Sequence, residues 1–283
     1  MKQNIVAELD KLFDEVGTYR STKEYGELLR FVRRFQKYAP YNAMLLHVQK
    51  PGSQYVTTAA DWNQRFNRKP KPGARPLVIL RPFGPVAFVY ELSDTEGDPF
   101  PQSVEEPFAA TGSVTPKMLN DYIEHAYYEG IRVLPQNYGT EYAGQVQVIN
   151  DSGIYKSKDI EKRFRIPFAV TVNNNENPAT MLATIFHELG HVYCGHLYCP
   201  EIKYIPQRYQ LSEQVEEFEA ESVCWLLCER QGIENPSAAY LSGYLENNKE
   251  IPPISIDTVL RAAGAIEQIW DKPKIPRKEL LIS

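Results

Sequence analysis

The chain has 283 residues, 43% of them hydrophobic and 24% charged, with a formal net charge of −5. This composition excludes a disordered or fibrous chain, and the length favours two domains that each bury a core. No run of 18 apolar residues occurs, so no membrane-spanning helix is expected. The mixed polar and apolar segment Met1–Asp10 does not resemble a secretory signal. Four cysteines without such a signal predict reduced thiols and a cytoplasmic location.

The charge is divided unevenly along the chain. Residues 1–90 carry 15 Lys and Arg against 7 Asp and Glu, whereas the remaining residues carry 16 against 29. Residues 1–90 therefore have a net charge of +8, and the remaining residues have a net charge of −13. Residues 91–113 are rich in Asp, Glu, Pro, Ser and Gly, which is typical of a linker. We therefore predict an α+β protein with two domains, residues 1–100 and 101–283, the first being a small basic module suited to an anionic ligand.

Capping signals and the spacing of apolar residues predict the secondary structure. In the first domain we expect a helix over residues 4–16, a helix from Ser21 with a Ser21–Glu24 capping box, and paired strands at residues 77–80 and 86–90. In the second we expect a helix over residues 115–130, strands near residues 146–149 and 166–172, a helix from Asn177, a helix over residues 212–231, and helices starting near Asn235 and Ser255.

The run His187-Glu188-Leu189-Gly190-His191 is the strongest chemical signal in the chain. Two histidines four residues apart on a helix project from one face, so both imidazoles can reach a single zinc ion. Glu188, beside the first ligand, is aimed at the open coordination position, where it can act as general base toward the attacking water.

A catalytic zinc site needs a third protein ligand. The helix over residues 212–231 is lined with apolar residues, so its acids are costly to bury unless they are paired or bind metal. We predict Glu217 as the third ligand and Glu221, one turn later, as the outer partner of a ligand histidine. Glu213 and Glu216 remain alternatives, as does Glu221 itself.

Other polar residues near the motif have weaker signals. His196 follows His191 by five residues and is therefore rotated off the ligand face, so a structural role in a loop is expected. The spacing of Cys194, Cys199, Cys224 and Cys228 is not that of a cysteine zinc site. A strand near residues 166–172, just before the metal helix, is expected to be an edge strand that pairs with an extended peptide substrate.

The first domain has a basic stretch beside several aromatic residues. Six basic residues and no acid lie between positions 65 and 81: Arg65, Arg68, Lys69, Lys71, Arg75 and Arg81. Tyr41, Tyr55, Trp62 and Phe66 could stack on unpaired bases while the cations contact phosphates. Composition alone favours the other interpretation, a solvated basic face with core aromatics.

The motifs resemble those of a known family. His187–His191 followed by Glu217-x-x-Ala220-Glu221 resembles the zincin-like peptidases of the ImmA/IrrE group and, more closely, the carboxy-terminal domain of ArdC-type antirestriction proteins. The segment Ser237–Tyr240 also matches that domain. Three features of the first part resemble the single-stranded-DNA-binding domain of ArdC proteins: Tyr41-Asn42-x-x-Leu45-Leu46-x-x-Gln49, Trp62 with its basic stretch, and Ser93-x-Thr95-x-Gly97.

The residues and the resemblance together predict a zinc metallopeptidase that acts on a protein or peptide and carries a single-stranded-DNA-binding domain. In this prediction Glu188 is the catalytic base, and the metal ligands are His187, His191 and Glu217. One alternative is an antirestriction protein that binds single-stranded DNA and whose zinc fold is mainly structural. Another is a protein-interaction module of a mobile element.

Overall fold

The computed structural model describes residues 21–35, 37–81, 84–101, 114–136, 144–157, 160–233, 241 and 250–282. The chain divides into two compact units, Met1–Ala110 (unit 1) and Thr111–Ser283 (unit 2). Both combine helices with small sheets, which confirms the α+β class. The helices predicted over residues 4–16 and from Asn235 lie outside the described residues. Within the described part, no helix is both long and apolar enough to cross a membrane.

The described part of unit 1 consists of short elements: α1 (Thr22–Arg34), α2 (Pro40–Gln49), β1 (Val56–Thr57), α3 (Ala59–Phe66), β2 (Arg68–Pro70), β3 (Leu77–Arg81), β4 (Gly84–Glu91) and β5 (Thr95–Gly97). The strands form an antiparallel sheet in the order β1-β4-β3 and a separate β2-β5 pair. At the start of α1 the Glu24 N–H donates to Ser21 Oγ at 3.2 Å, which confirms the predicted cap. The predicted strand pair is also confirmed.

Two amide side chains of α2 bind the backbone of β3. Asn42 accepts from the Leu80 N–H at 2.9 Å and donates to the Leu80 carbonyl at 3.0 Å. Gln49 does the same with Val78, with both distances at 2.8 Å. Because a sheet edge presents unpaired N–H and C=O groups, these amides complete its hydrogen bonding. The resemblance motif that contains Asn42 and Gln49 therefore has a structural role in unit 1.

Unit 2 is built around a three-stranded sheet and a pair of helices. Its elements are α4 (Pro116–Tyr128), β6 (Ile131–Gln136), β7 (Gly144–Ser157), β8 (Ile160–Asn173), α5 (Pro178–Cys194), α6 (Glu213–Gln231) and α7 (Ile256–Glu267). The helices predicted from Asn177, over residues 212–231 and from Ser255 are confirmed as α5, α6 and α7. The Asn177 side chain accepts from the N–H groups of Ala179 and Thr180, with Pro178 at the first helical position.

The sheet corrects one expectation. Its order is β6-β8-β7, with β8 parallel to β6 and antiparallel to β7. The segment predicted as a substrate-binding edge, residues 166–172, lies in the central strand β8, so that prediction is wrong. The physical reason is its burial: residues 166–173 are buried without alternation, as expected for a strand covered on both faces. The outer strands are β6 and β7, and β7 contacts α5.

Candidate metal centre

Helix α5 brings the two predicted histidine ligands together. His187 Nε2 and His191 Nε2 lie 3.2 Å apart, and the ring centroids are separated by 5.0 Å. Both side chains are mostly buried, with 21% and 13% of their surface exposed. The i, i+4 spacing of the sequence therefore directs the same nitrogen of each ring toward one point.

Helix α6 supplies a carboxylate to the same point. Glu217 Oε2 lies 3.5 Å from His187 Nε2, and Glu217 Oε1 lies 3.5 Å from His191 Nε2. These three side chains form a group of potential metal ligands whose donor atoms all lie within 4.8 Å of one another. Of the four acids considered from the sequence, Glu217 is the one whose oxygens lie beside the Nε2 atoms of both histidines.

The helices can approach because small residues meet where they contact. A Cβ added to Gly190 would lie 3.0 Å from Ala220 Cα and 3.2 Å from the Ala220 carbonyl oxygen. Gly190 is three residues after His187, and Ala220 is three residues after Glu217. On a helix, residues three apart lie on one face, so this contact fixes the distance between the histidines and the carboxylate.

The donor distances fit a tetrahedral ion. Zinc bonds of about 2.0–2.1 Å to imidazole nitrogen and carboxylate oxygen imply donor–donor edges of about 3.3–3.4 Å in a regular tetrahedron. The two ring nitrogens lie 3.2 Å apart, which is close to such an edge, and each lies 3.5 Å from a different oxygen of Glu217, so the carboxylate spans both nitrogens. Two imidazoles and one carboxylate also form the kind of donor set that leaves a fourth position open. His187, His191 and Glu217 would therefore hold such an ion with little rearrangement.

The charges in the site are strongly coupled. Burial lowers the pKa of His191 to about 4, and the neighbouring His187 adds to this effect. Burial also acts to lower the pKa of His187, but the carboxylates of Glu217 and Glu221 outweigh it and raise the pKa to about 10. The hydrogen bond with His187 in turn lowers the pKa of Glu217. A metal that binds His187 therefore competes with a proton for the ring nitrogen.

Glu188 stands apart from the three donors. It is only 8% exposed, and the Val146 N–H of β7 donates to its carboxylate. Burial raises the pKa of Glu188 to about 7, although the Val146 hydrogen bond and the charge of His187 oppose the rise. A Cβ at Gly144 would lie 3.3 Å from Glu188 Oε1, so the glycine leaves room for the carboxylate beside β7. A carboxyl group poised near neutral pH is suited to proton transfer.

The predicted outer partner, Glu221, lies close to the site. Its Oε2 is 3.8 Å from His187 Nδ1, which exceeds a normal hydrogen bond. Its role in orienting His187 therefore stays a prediction.

His196 contacts a predicted metal ligand, which its spacing in the sequence did not predict. Its Nδ1 lies 3.0 Å from His191 Nδ1, and its Nε2 lies 3.0 Å from Glu219 Oε2. The chain turns back at Gly195, which has φ +80° and whose Cβ would lie 2.1 Å from the Pro206 carbonyl oxygen. That turn brings His196 beneath His191 after the helix has ended. The available sequence signal was Glu219, an acid on the apolar face of α6.

The four cysteines are buried, and none of them forms a disulfide. Burial raises the pKa of Cys194 and of Cys199, so both remain thiols near neutral pH. Because the thiolate is the form that binds metal, these surroundings do not favour cysteine ligation.

In unit 1 the structure corrects the role expected for Trp62. Its side chain is fully buried, and Nε1 donates to the Tyr90 carbonyl at 2.8 Å. The ring lies 5.4–5.7 Å from the rings of Tyr55, Phe66 and Phe100. A core indole has no free face for a base, so the expected base-stacking role of Trp62 is wrong. The aromatic and basic pattern did not distinguish a core cluster from a stacking platform.

The basic residues of unit 1 differ in how they are used. Arg68 is half-buried and binds β5, donating to the side chain and the carbonyl of Thr95 at 2.9 Å each and to the Asp98 carbonyl. It therefore holds the β2-β5 pair rather than presenting a cation to a ligand. The predicted cations that are exposed are Arg65, Lys69, Lys71, Arg75 and Arg81. Of these, Lys69 lies 3.5 Å from Glu96, and Lys71 donates to the Ser93 carbonyl at 2.8 Å.

Comparisons with known proteins give one structural neighbour. Neither a protein-family model nor a curated protein sequence matches the chain. The crystal structure of the metal-free antirestriction protein ArdC from plasmid R388 is similar over 81% of this chain and 81% of its own, with 16% identity and a TM-score of 0.33. A TM-score this low does not establish a common fold, so the function must be inferred from the site itself.

We predict that Gly190→Ala weakens metal binding although alanine is the better helix former. The new methyl group would press on the Ala220 backbone and move Glu217 away from the histidines by a few tenths of an ångström. Zinc affinity measured by competition with a chromophoric chelator should fall. Unchanged affinity in Gly190→Ala would show that this helix contact does not set the ligand spacing.

Proposed function

We propose that unit 2 is a zinc-dependent metallopeptidase of the zincin type. The observation that carries the proposal is Glu188, a buried carboxyl group that is adjacent to the three donors and separate from them. A site in which the metal only stabilised the fold would require the ligands His187, His191 and Glu217. It would gain nothing from an additional buried acid, which is costly to desolvate.

The chain's own groups support a hydrolytic mechanism. A bound zinc ion would supply positive charge that polarises a carbonyl group and acidifies water. Glu188 would take a proton from the attacking water and deliver it to the amine that leaves. Its hydrogen bond from the Val146 N–H keeps the carboxylate oriented between these two steps.

The position of β7 suggests how a peptide would be held. It is one of the two outer strands of the sheet, and the Val146 N–H donates to Glu188. An extended peptide lying along this edge would form main-chain hydrogen bonds and have a carbonyl group close to Glu188. Main-chain recognition of this kind fits a protein or peptide substrate.

We predict that Glu188→Gln keeps a full complement of zinc and loses peptide hydrolysis by about 10²–10⁴-fold, because the glutamine cannot accept the proton. Zinc content and cleavage of a proteome-derived peptide library by the full-length chain would be measured together. Glu213→Gln, an exposed acid on the same helix as Glu217, is the matched control and should keep both properties. Equal cleavage by Glu188→Gln and wild type would rule out the proposed base, and a zinc-loaded wild type that cleaves nothing would favour a structural metal.

A second activity, binding of single-stranded DNA by unit 1, has its own observation. The exposed cations Arg65, Lys69, Lys71 and Arg75 lie within eleven residues of sequence, and no acid lies among them. Such groups can contact phosphates, and Phe88, 49% exposed on β4, is available to stack on a base in place of Trp62. The sequence resemblance implies an antirestriction role in a mobile element as the setting for both activities.

We predict that replacing Arg65, Lys69, Lys71 and Arg75 by glutamine weakens binding of the full-length chain to labelled single-stranded DNA and flattens its salt dependence, since fewer counterions are released. Phe88→Ala should reduce the preference for single strands over duplex. The control replaces four exposed cations of unit 2, Lys117, Lys162, Arg163 and Lys203, with the same change in net charge. Equal losses in both quadruple variants, measured by fluorescence anisotropy, would point to net charge alone.

A further inference from the structure

The His191 ring is supported from behind by a chain of buried polar groups, which we call the histidine relay (His191, His196 and Glu219). His191 Nδ1 lies 3.0 Å from His196 Nδ1, and His196 Nε2 lies 3.0 Å from Glu219 Oε2. The side chains of His196 and Glu219 are 2% and 0% exposed. Glu219 is anchored in turn, because Arg208 donates to its two oxygens at 2.6 and 2.8 Å and the Ser255 N–H donates at 2.7 Å.

The direction of each hydrogen bond follows from the ligand role of His191. Its Nε2 faces the other metal donors and must be bare to bind an ion, so a neutral ring carries its proton on Nδ1. That Nδ1–H donates to His196 Nδ1, which can only accept. The proton of His196 is then on Nε2, where it donates to Glu219. The carboxylate, held by Arg208, thus selects one tautomer in each of two successive rings.

The same place contains another group of potential ligands, Cys194, His196 and Glu219, whose donor atoms lie within 4.8 Å of one another. Several features disfavour a second ion there. Both oxygens of Glu219 already accept hydrogen bonds, and the adjacent Arg208 guanidinium would repel a cation. Burial also raises the pKa of Cys194 well above its usual value, which keeps the sulfur protonated.

We propose that His196 and Glu219 are positioning residues for the metal centre, which set the tautomer and ring orientation of His191 before the ion binds. The inference rests on the proposed metal site but does not depend on peptide hydrolysis. It also gives a function to the segment after α5: its Arg208 fixes Glu219, and the Arg208 N–H donates to the Gly195 carbonyl at 2.7 Å. The segment that is hydrogen-bonded to the end of α5 therefore also supplies the arginine that holds Glu219.

The first test compares two replacements of His196 in the full-length chain, with zinc affinity measured by chelator competition. His196→Phe removes the acceptor for His191 Nδ1–H and should weaken zinc binding by about 10–100-fold, the usual effect of losing an outer partner. His196→Gln offers both an acceptor and a donor and should recover most of that loss. Wild-type affinity in His196→Phe would overturn the proposal.

The second test separates positioning from a general loss of stability. Arg230 and Glu267 form a comparable ion pair in the same unit, with contacts of 2.8 and 3.0 Å and an arginine that is 1% exposed. Glu219→Gln should weaken zinc binding, whereas Glu267→Gln should lower the melting temperature and leave zinc affinity unchanged. Equal losses of affinity in the two variants would overturn the proposal. A wild-type chain that takes up no zinc would instead overturn the metal site itself, which is a distinguishable failure.

Discussion

The candidate centre depends on one packing contact, the approach of Gly190 on α5 to Ala220 on α6. A methyl group at Gly190 would lie 3.0 Å from the Ala220 Cα, so it would displace the neighbouring backbone by a few tenths of an ångström. This contact places Glu217 opposite His187 and His191, with each oxygen 3.5 Å from one ring nitrogen. A looser contact would leave Glu217 on α6 too far from the two histidines of α5 for all three to bind one small ion.

Burial then gives the polar residues around this contact different properties. Glu217 is 48% exposed and forms the open rim of the donor group. Glu188 is buried beside β7, and its raised pKa suits proton transfer. Glu219, only two residues after Glu217, is fully buried and remains ionised because Arg208, His196 and the Ser255 N–H compensate its charge. Three glutamates near one site are thus placed as the proposed metal ligand, the proposed base and the anchor of His196.

The parts of the site that follow from local spacing could be predicted from sequence, and the parts that depend on tertiary turns could not. His187 and His191 share a helical face, and Glu217 was predicted on the following helix with three alternative acids on the same helix. His196 was missed because the chain reverses at Gly195, which no helical periodicity encodes. In unit 1, Trp62 and Arg68 matched a binding pattern, but the first is a core residue and the second binds backbone. The apolar run of β8 identified a strand without revealing that it has a neighbour on each side.

The central claim is that His187, His191 and Glu217 together hold one zinc ion. The most direct measurement is elemental analysis of the full-length chain after zinc loading and desalting. Wild type and Glu213→Ala should each retain one zinc per chain, and Glu217→Ala should retain none, because two imidazoles alone leave the site incomplete. Full zinc retention by Glu217→Ala, with the protein still folded, would contradict the account and assign the third ligand elsewhere.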